Sequence, residues 1–325
     1  MKRMSLMIPV LLVCFIAISP VSGRGNEDAS DAPSTEIVHF VVPSGATLVP
    51  IALLNGDSIS SGYDVDLEII RSSDLLGAKL VSGEADFAVI PSNLAAIMAN
   101  RGTGLRIAGP VIWGLSYIVT SGNLQSWEDL RGRRIFMIGR GLTPDITFRH
   151  LLEIHGLNPD KDVEIVYVAS AAELVPSFLT GHSTVSMMPE PMITTVLDRK
   201  PDTRILLDIQ KEWRQSHGVS YPQASLVVSG DFAGRHPDFT EEFIAAFASA
   251  VEDAKNNPDD AGAAVSAMVP ELNADIISDS ISRMNLDFVP ASEARDALEF
   301  YFEVLESFNP ATIGGKLPAD DFYLP

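Results

Sequence analysis

The chain has 325 residues, 46% of them hydrophobic, which is enough apolar material for two compact domains and too much for a disordered polymer. Its 43 acidic and 23 basic residues give a net charge of −20. Such a surface repels nucleic acid and anionic lipid, so neither is an expected partner.

The first element is an apolar run over residues 6–18, preceded by Lys2 and Arg3 and followed by Pro20, Ser22 and Gly23. The run falls short of the ~20 residues a helix needs to cross a bilayer. The pattern predicts a secretory signal over residues 1–23, and hence a periplasmic or otherwise extracytoplasmic protein. Cys14 is the single cysteine and lies inside this run, with Val13 rather than a small residue before it. It reads as part of the apolar run and not as a lipid anchor. Removal of the signal leaves no cysteine, which excludes disulfides, thiol nucleophiles and cysteine-ligated metals. Residues 24–35, "RGNEDASDAPST", are polar and predict a flexible leader.

Strand-like and helix-like segments then alternate. "IVHFVV", "DVDLEII", "FAVI", "LRIAGPVI" and "SYIVT" have strand character, with helical runs over 74–82 and 94–100 between them. The pattern restarts near residue 126. "RRIFMIG", "DVEIVYV", "TVSMM" and "TRILLDI" read as strands, and two helices among them end at Gly156 and Gly181. "ASLVVSG" is one more strand, and the chain is mainly helical from Phe239 onward. This alternation predicts an α/β fold in two units. The chain is expected to cross between them at 120–123 and 217–223. Domain I is then discontinuous, 36–120 with 221–325, and domain II is 121–220.

In such sheets ligands sit at the carboxyl ends of the strands, where helix N-termini present unpaired N–H groups. Five turns have the right composition: Ser44, Gly45, Ala46 and Thr47; Arg71, Ser72, Ser73 and Asp74; Ser92 and Asn93; Gly139 to Asp145, including Arg140, Gly141 and Thr143; and Glu190 between Pro189 and Pro191. Each one alone is an ordinary helix cap, worth about 1 kcal/mol. Together they suggest a ring of donors. The glycines around Arg140 form neither a Walker loop nor a dinucleotide fingerprint. Trp113 and Tyr117 offer either packed aromatics or a flat wall for a ligand. Glu190 could accept from ligand N–H groups, and Arg71 or Arg140 could pair with an anion.

"VPSGATLVPIALL", "LVSGEADFAVIPSNLAA", "WEDLRGRRIFMIGRG" and "MMPEP" resemble the periplasmic binding proteins of ABC importers. The similar branch includes binders of sulfonate, taurine, nitrate and thiamine pyrimidine, and the resemblance spans residues 36–308. It implies two α/β lobes joined by two hinge strands (the type 2 fold), a small-molecule ligand, and a membrane permease as partner. It also implies no cofactor or metal, and a monomer. Carried onto the turns, it makes Ser44, Ala46, Thr47, Ser73, Ser92, Asn93, Gly141, Thr143 and Glu190 ligand contacts, with Gly45, Trp113, Tyr117 and Tyr221 beside them. Trp113 with Glu190 would suit a planar nitrogen-bearing ring, whereas helix N-termini with an arginine would suit a sulfonate or carboxylate; the expectation leans to the first, a small aromatic or heterocyclic molecule.

Two other classes share this fold: thiamine-pyrimidine or menaquinone-pathway enzymes, and ligand-sensing inputs to a separate kinase. The residues favour neither. His150 and His155 lack the i, i+4 spacing of a zinc helix, and no Gly-x-Ser-x-Gly elbow exists.

Overall fold

The computed structural model describes residues 35–54, 62–71 and 73–325. The expected signal (residues 1–23), Cys14 and all of the expected leader except Thr35 lie outside the described residues.

The chain order is β1 (Glu36–Pro43), β2 (Tyr63–Ile70), α1 (Ser73–Ser82), β3 (Phe87–Pro91), α2 (Ser92–Asn100), β4 (Leu105–Ile112) and β5 (Ser116–Thr120). There follow β6 (Arg134–Met137), α3 (Thr143–Ile154), β7 (Glu164–Tyr167), α4 (Ala171–Leu179), β8 (Val185–Pro189), α5 (Met192–Arg199), β9 (Arg204–Asp208) and α6 (Ile209–His217). The last third is β10 (Ala224–Ser229), α7 (Gly230–Arg235), α8 (Pro237–Asn256), α9 (Pro258–Met268), α10 (Ala274–Ile281) and α11 (Ala291–Phe308).

These strands form two five-stranded sheets, ordered β2-β1-β3-β10-β4 and β7-β6-β8-β5-β9. Each sheet is mixed. β1 pairs in parallel with β2 and β3, and β6 with β7 and β8, while β10 and β5 run antiparallel to their neighbours. Each sheet with its helices is one α/β lobe.

Both faces of the first sheet are covered, which explains its near-continuous apolar strands. Val38, Phe40 and Val42 point to a core shared with α8 and α10, while Val41 between them points to the face lined by α2 and α11. Phe243 of α8 seats against Phe40 and Phe87, with ring centroids 5.4 and 4.2 Å apart. The second of these cores does not stop at the lobe boundary. It runs through Tyr221, Trp213 and Tyr301 into Ile118, Ile135 and Phe148 of the second lobe.

The structure corrects the first crossing. Ser116–Thr120 pairs with β8 and β9, so β5 belongs to the second sheet and the chain crosses at 113–115, not at 120–123. The polar residues 120–123 form a surface turn, in which Gly122 N–H donates to Thr120 Oγ1 at 2.9 Å. Turn chemistry was visible there, but a strand's sheet membership depends on partners distant in sequence. The second crossing begins at Gly218, whose left-handed backbone (φ 75°) ends α6.

Candidate functional site

The two crossings decide which surfaces meet. β4 leaves the first sheet at its carboxyl end. β5 enters the second sheet beside the carboxyl end of β8, with Ser116 opposite Pro189. On the return, β9 ends at Asp208 and β10 enters beside the carboxyl end of β3, with Ala224 opposite Pro91. Both links therefore join carboxyl edge to carboxyl edge. The turns that follow the parallel strands of one sheet are aimed at those of the other, which is where open α/β sheets bind ligands.

The crossings also pack on each other. Gly114 has φ 69°, and a Cβ there would stand 2.4 Å from Cζ of Tyr221. Only glycine fits both requirements. Gln210 on α6 ties the two links, donating to the Trp113 and Tyr221 carbonyls and accepting from Tyr221 N–H at 3.1 Å.

On the first lobe, Ser44 is exposed and Gly45 has φ 129° and ψ −144°, a conformation that requires glycine. Ala46 opens a 3₁₀ turn, Ala46–Ile51, and the half-buried Thr47 hydroxyl donates to the Pro43 carbonyl. Ser73 is the first residue of α1, and its side chain lies outside the described residues. Ser92 and Asn93 open α2, but protein partners occupy them. Ser92 is fully buried, 2.7 Å from Ser225 Oγ, and Asn93 Nδ2 donates to the Thr312 carbonyl at 3.1 Å. They lock the sheet and the C-terminal segment in place.

On the second lobe, Gly141 and Thr143 lie at the start of α3. Gly141 N–H donates to buried Asp145 at 2.8 Å, and Asp145 also receives the Tyr167 hydroxyl at 2.7 Å and Arg149 Nε at 3.0 Å. The Thr143 side chain approaches the buried Tyr301 hydroxyl on α11, so it sits between the lobes. Arg140 lies over the Tyr167 ring at 5.2 Å, and Arg71 pairs on the surface with Glu271 at 2.9 Å. Neither arginine is held ready in the cleft.

Glu190 differs from its expected role as a vacant acceptor. Its carboxylate is buried, and both oxygens are engaged. Oε2 accepts from Thr194 N–H at 3.1 Å and from the Thr194 hydroxyl at 2.9 Å, and Oε1 accepts from Arg283 Nε. Arg283 follows α10 in the C-terminal third and also donates to the Thr194 hydroxyl and, at 3.1 Å, to the Asp279 carbonyl. The Tyr117 hydroxyl donates to the Arg283 carbonyl at 2.7 Å. Burial, with the Asp208 and Glu190 charges, pushes the Tyr117 hydroxyl pKa upward, so it remains a proton donor. Sequence reading missed Arg283 because nothing in "SISRMNLDF" sets this arginine apart.

Tyr221 is enclosed, 5.4 Å from Trp213 and 5.6 Å from Tyr301 between ring centroids. Trp113 lines a different space. Its Nε1 donates to the Asp287 carbonyl at 2.7 Å, and it borders a cavity of about 520 Å³ with Gln210, Arg214, Asn285 and Glu293. Residues 44–47, Gly141, Thr143 and Glu190 are not among that cavity's walls. The turns after β1, β6 and β8 thus lie at the carboxyl edges of their sheets, and Trp113 borders a different space. Among the described residues, no group of three or more His, Cys, Asp or Glu side chains could hold a metal ion.

Comparison with known proteins agrees with this geometry. The family model described as NMT1/THI5 like matches residues 61–261. The YtlA binding protein of Bacillus subtilis (strain 168) is 20% identical over 281 residues, covering 83% of this chain and 80% of the relative. An ABC transporter structure from Parabacteroides distasonis superimposes with a TM-score of 0.78 at 24% identity, covering 89% of this chain and 99% of its own. The periplasmic aliphatic sulphonate binding protein SsuA from Escherichia coli gives a TM-score of 0.72 at 15% identity, with 90% and 93% coverage. The desulfurization enzyme DSZB has the same fold, with a TM-score of 0.62 at 15% identity and 89% and 96% coverage. At these identities the structural likeness establishes the two-lobed fold.

Proposed function

The chain belongs to the NMT1/THI5-like family, and from that membership we propose that it is an extracytoplasmic solute-binding protein of an ABC-type importer. It captures a small molecule between its lobes and presents the liganded shape to a membrane permease. The carrying observation is the pair of crossings that set two carboxyl edges face to face. Among the described residues, no helix is long and apolar enough to cross a membrane.

Residues 44–47, Gly141, Thr143 and the Glu190–Arg283 pair form the cleft walls in this reading. By likeness to the aliphatic sulphonate binding protein, the ligand is a small organic anion of the sulfonate or carboxylate class, met by the turn at residues 44–47 rather than by Arg71 or Arg140. A planar nitrogenous ring would need Trp113 and Glu190 together, and Trp113 borders another space while Glu190 already has its partners. The similar proteins YtlA and SsuA, both binding proteins by name, support binding over catalysis, while DSZB shows that the fold also carries an enzyme.

The test is a thermal-shift screen of protein refolded to strip any ligand, against alkanesulfonates, taurine, nitrate, aromatic carboxylates and pyrimidines. A cleft ligand at 100 times its dissociation constant should stabilise the fold by about 2.7 kcal/mol. A flat panel, with nothing bound to the unstripped protein by native mass spectrometry, overturns the reading.

A further inference from the structure

We propose that the cavity bordered by Trp113 is a second small-molecule site, behind the hinge, for an aromatic zwitterion of the amino-acid type. The cavity lies at the outer edge of the fold. Asp208 ends β9, the edge strand of its sheet, and Leu286 bridges to Ile112 at the end of β4, the other edge strand. The cleft turns follow β1, β6 and β8, further into the sheets.

Three properties define the occupant. First, the volume of about 520 Å³ is that of an organic ligand site and far exceeds an inorganic ion. Second, the cavity offers unpaired charges of both signs, from opposite lobes. Lys211 and Arg214 on α6 and Glu293 in the first turn of α11 line it from exposed positions, and among the described residues none has an ion-pair partner within 4.0 Å. Three further lining charges are engaged: Asp208 caps α6 by accepting from Lys211 N–H at 3.0 Å, and Lys255 lies 2.6 Å from Glu252 and 3.7 Å from Asp287. A carboxylate on the α6 cations Arg214 and Lys211 and an ammonium on Glu293 would complement these charges. Third, the Trp113 indole is fixed through its Nε1 bond to the Asp287 carbonyl, giving a preorganised flat wall.

The occupant touches both crossings as well as both lobes, since Trp113 belongs to one link and Val219 and Ser220 to the other. An occupant that fits one lobe arrangement better than another would bias the hinge angle, and by linkage the cleft affinity.

The experiment is calorimetric titration of the full protein with L-phenylalanine, 3-phenylpropionate and 2-phenylethylamine. L-Phenylalanine is expected to bind one site, and Arg214→Gln and Glu293→Gln should each weaken it about tenfold. Arg214→Gln should also weaken 3-phenylpropionate, and Glu293→Gln should leave that probe unaffected. Thr47→Val, a cleft substitution, should leave L-phenylalanine binding intact, and Arg214→Gln should leave cleft binding of an alkanesulfonate intact. The proposal is overturned if wild type binds no L-phenylalanine, if both charge variants bind it as wild type does, or if only Thr47→Val abolishes binding. Failure of the cleft reading shows separately, in the sulfonate panel.

Discussion

Where α5 meets the end of α10 the contact between lobes is ionic; where α3 and α6 meet α11 it is aromatic. The first joint is Glu190 with Thr194 and Arg283, a buried carboxylate with both oxygens engaged. The second is a stack. His150 and His217 lie 3.0 Å apart through their Nε2 atoms, with Trp213 beside both. Phe300 and Phe308 of α11 close over them, the nearest at a centroid distance of 4.9 Å. An ionic joint is directional and fails when one partner is lost. An aromatic joint tolerates sliding and fails when a charge appears inside it. A binding protein that opens and closes can use both: one to define the angle and one to lubricate it.

The largest expected effect separates them directly. Arg283→Ala strands the Glu190 carboxylate without its cation and should cost about 3–5 kcal/mol in chemical denaturation. The double variant Glu190→Gln with Arg283→Met should recover much of that. If Arg283→Ala unfolds at the wild-type midpoint, the ionic joint contributes nothing.

A smaller loss is expected at Gly114, which belongs to neither joint but lets the links touch. Gly114→Ala forces a left-handed alanine, costing about 1–2 kcal/mol, and pushes its methyl into Tyr221. Cleft ligand affinity should fall along with stability, because the ring at the hinge must move. Unchanged affinity would show that the links flex independently.

The aromatic joint should respond to pH. Burial, with the His217 charge, lowers the His150 pKa to about 4, and burial lowers that of His217. The unfolded chain titrates these groups near ~6.5. Between those values the unfolded state binds more protons, so this contribution to stability is full above about pH 6.5 and is lost as pH falls toward 4. His150→Phe should therefore flatten the fall in Tm between pH 7 and pH 5 relative to wild type. Parallel curves would place the titration elsewhere. The smallest effect belongs to Arg71→Ala, which breaks a wholly exposed pair with Glu271 and should leave Tm unchanged.

Much of this architecture is legible in local pattern. Alternating Val and Phe in β1, the glycines that end helices and the small polar turns after strands each depend on neighbours within a few residues, so composition alone marks them.

The sequence by itself determined that this is an α/β chain, that donor-rich turns follow its strands, and that its surface is strongly acidic. Only the tertiary structure decided that Ser116–Thr120 belongs to the second sheet, that Glu190 is consumed by Arg283, and that Trp113 faces a space of its own. The reason is physical. Helix caps and strand faces are set by contacts a few residues away, whereas sheet partners and buried ion pairs join positions such as 190 and 283, whose proximity no local rule encodes.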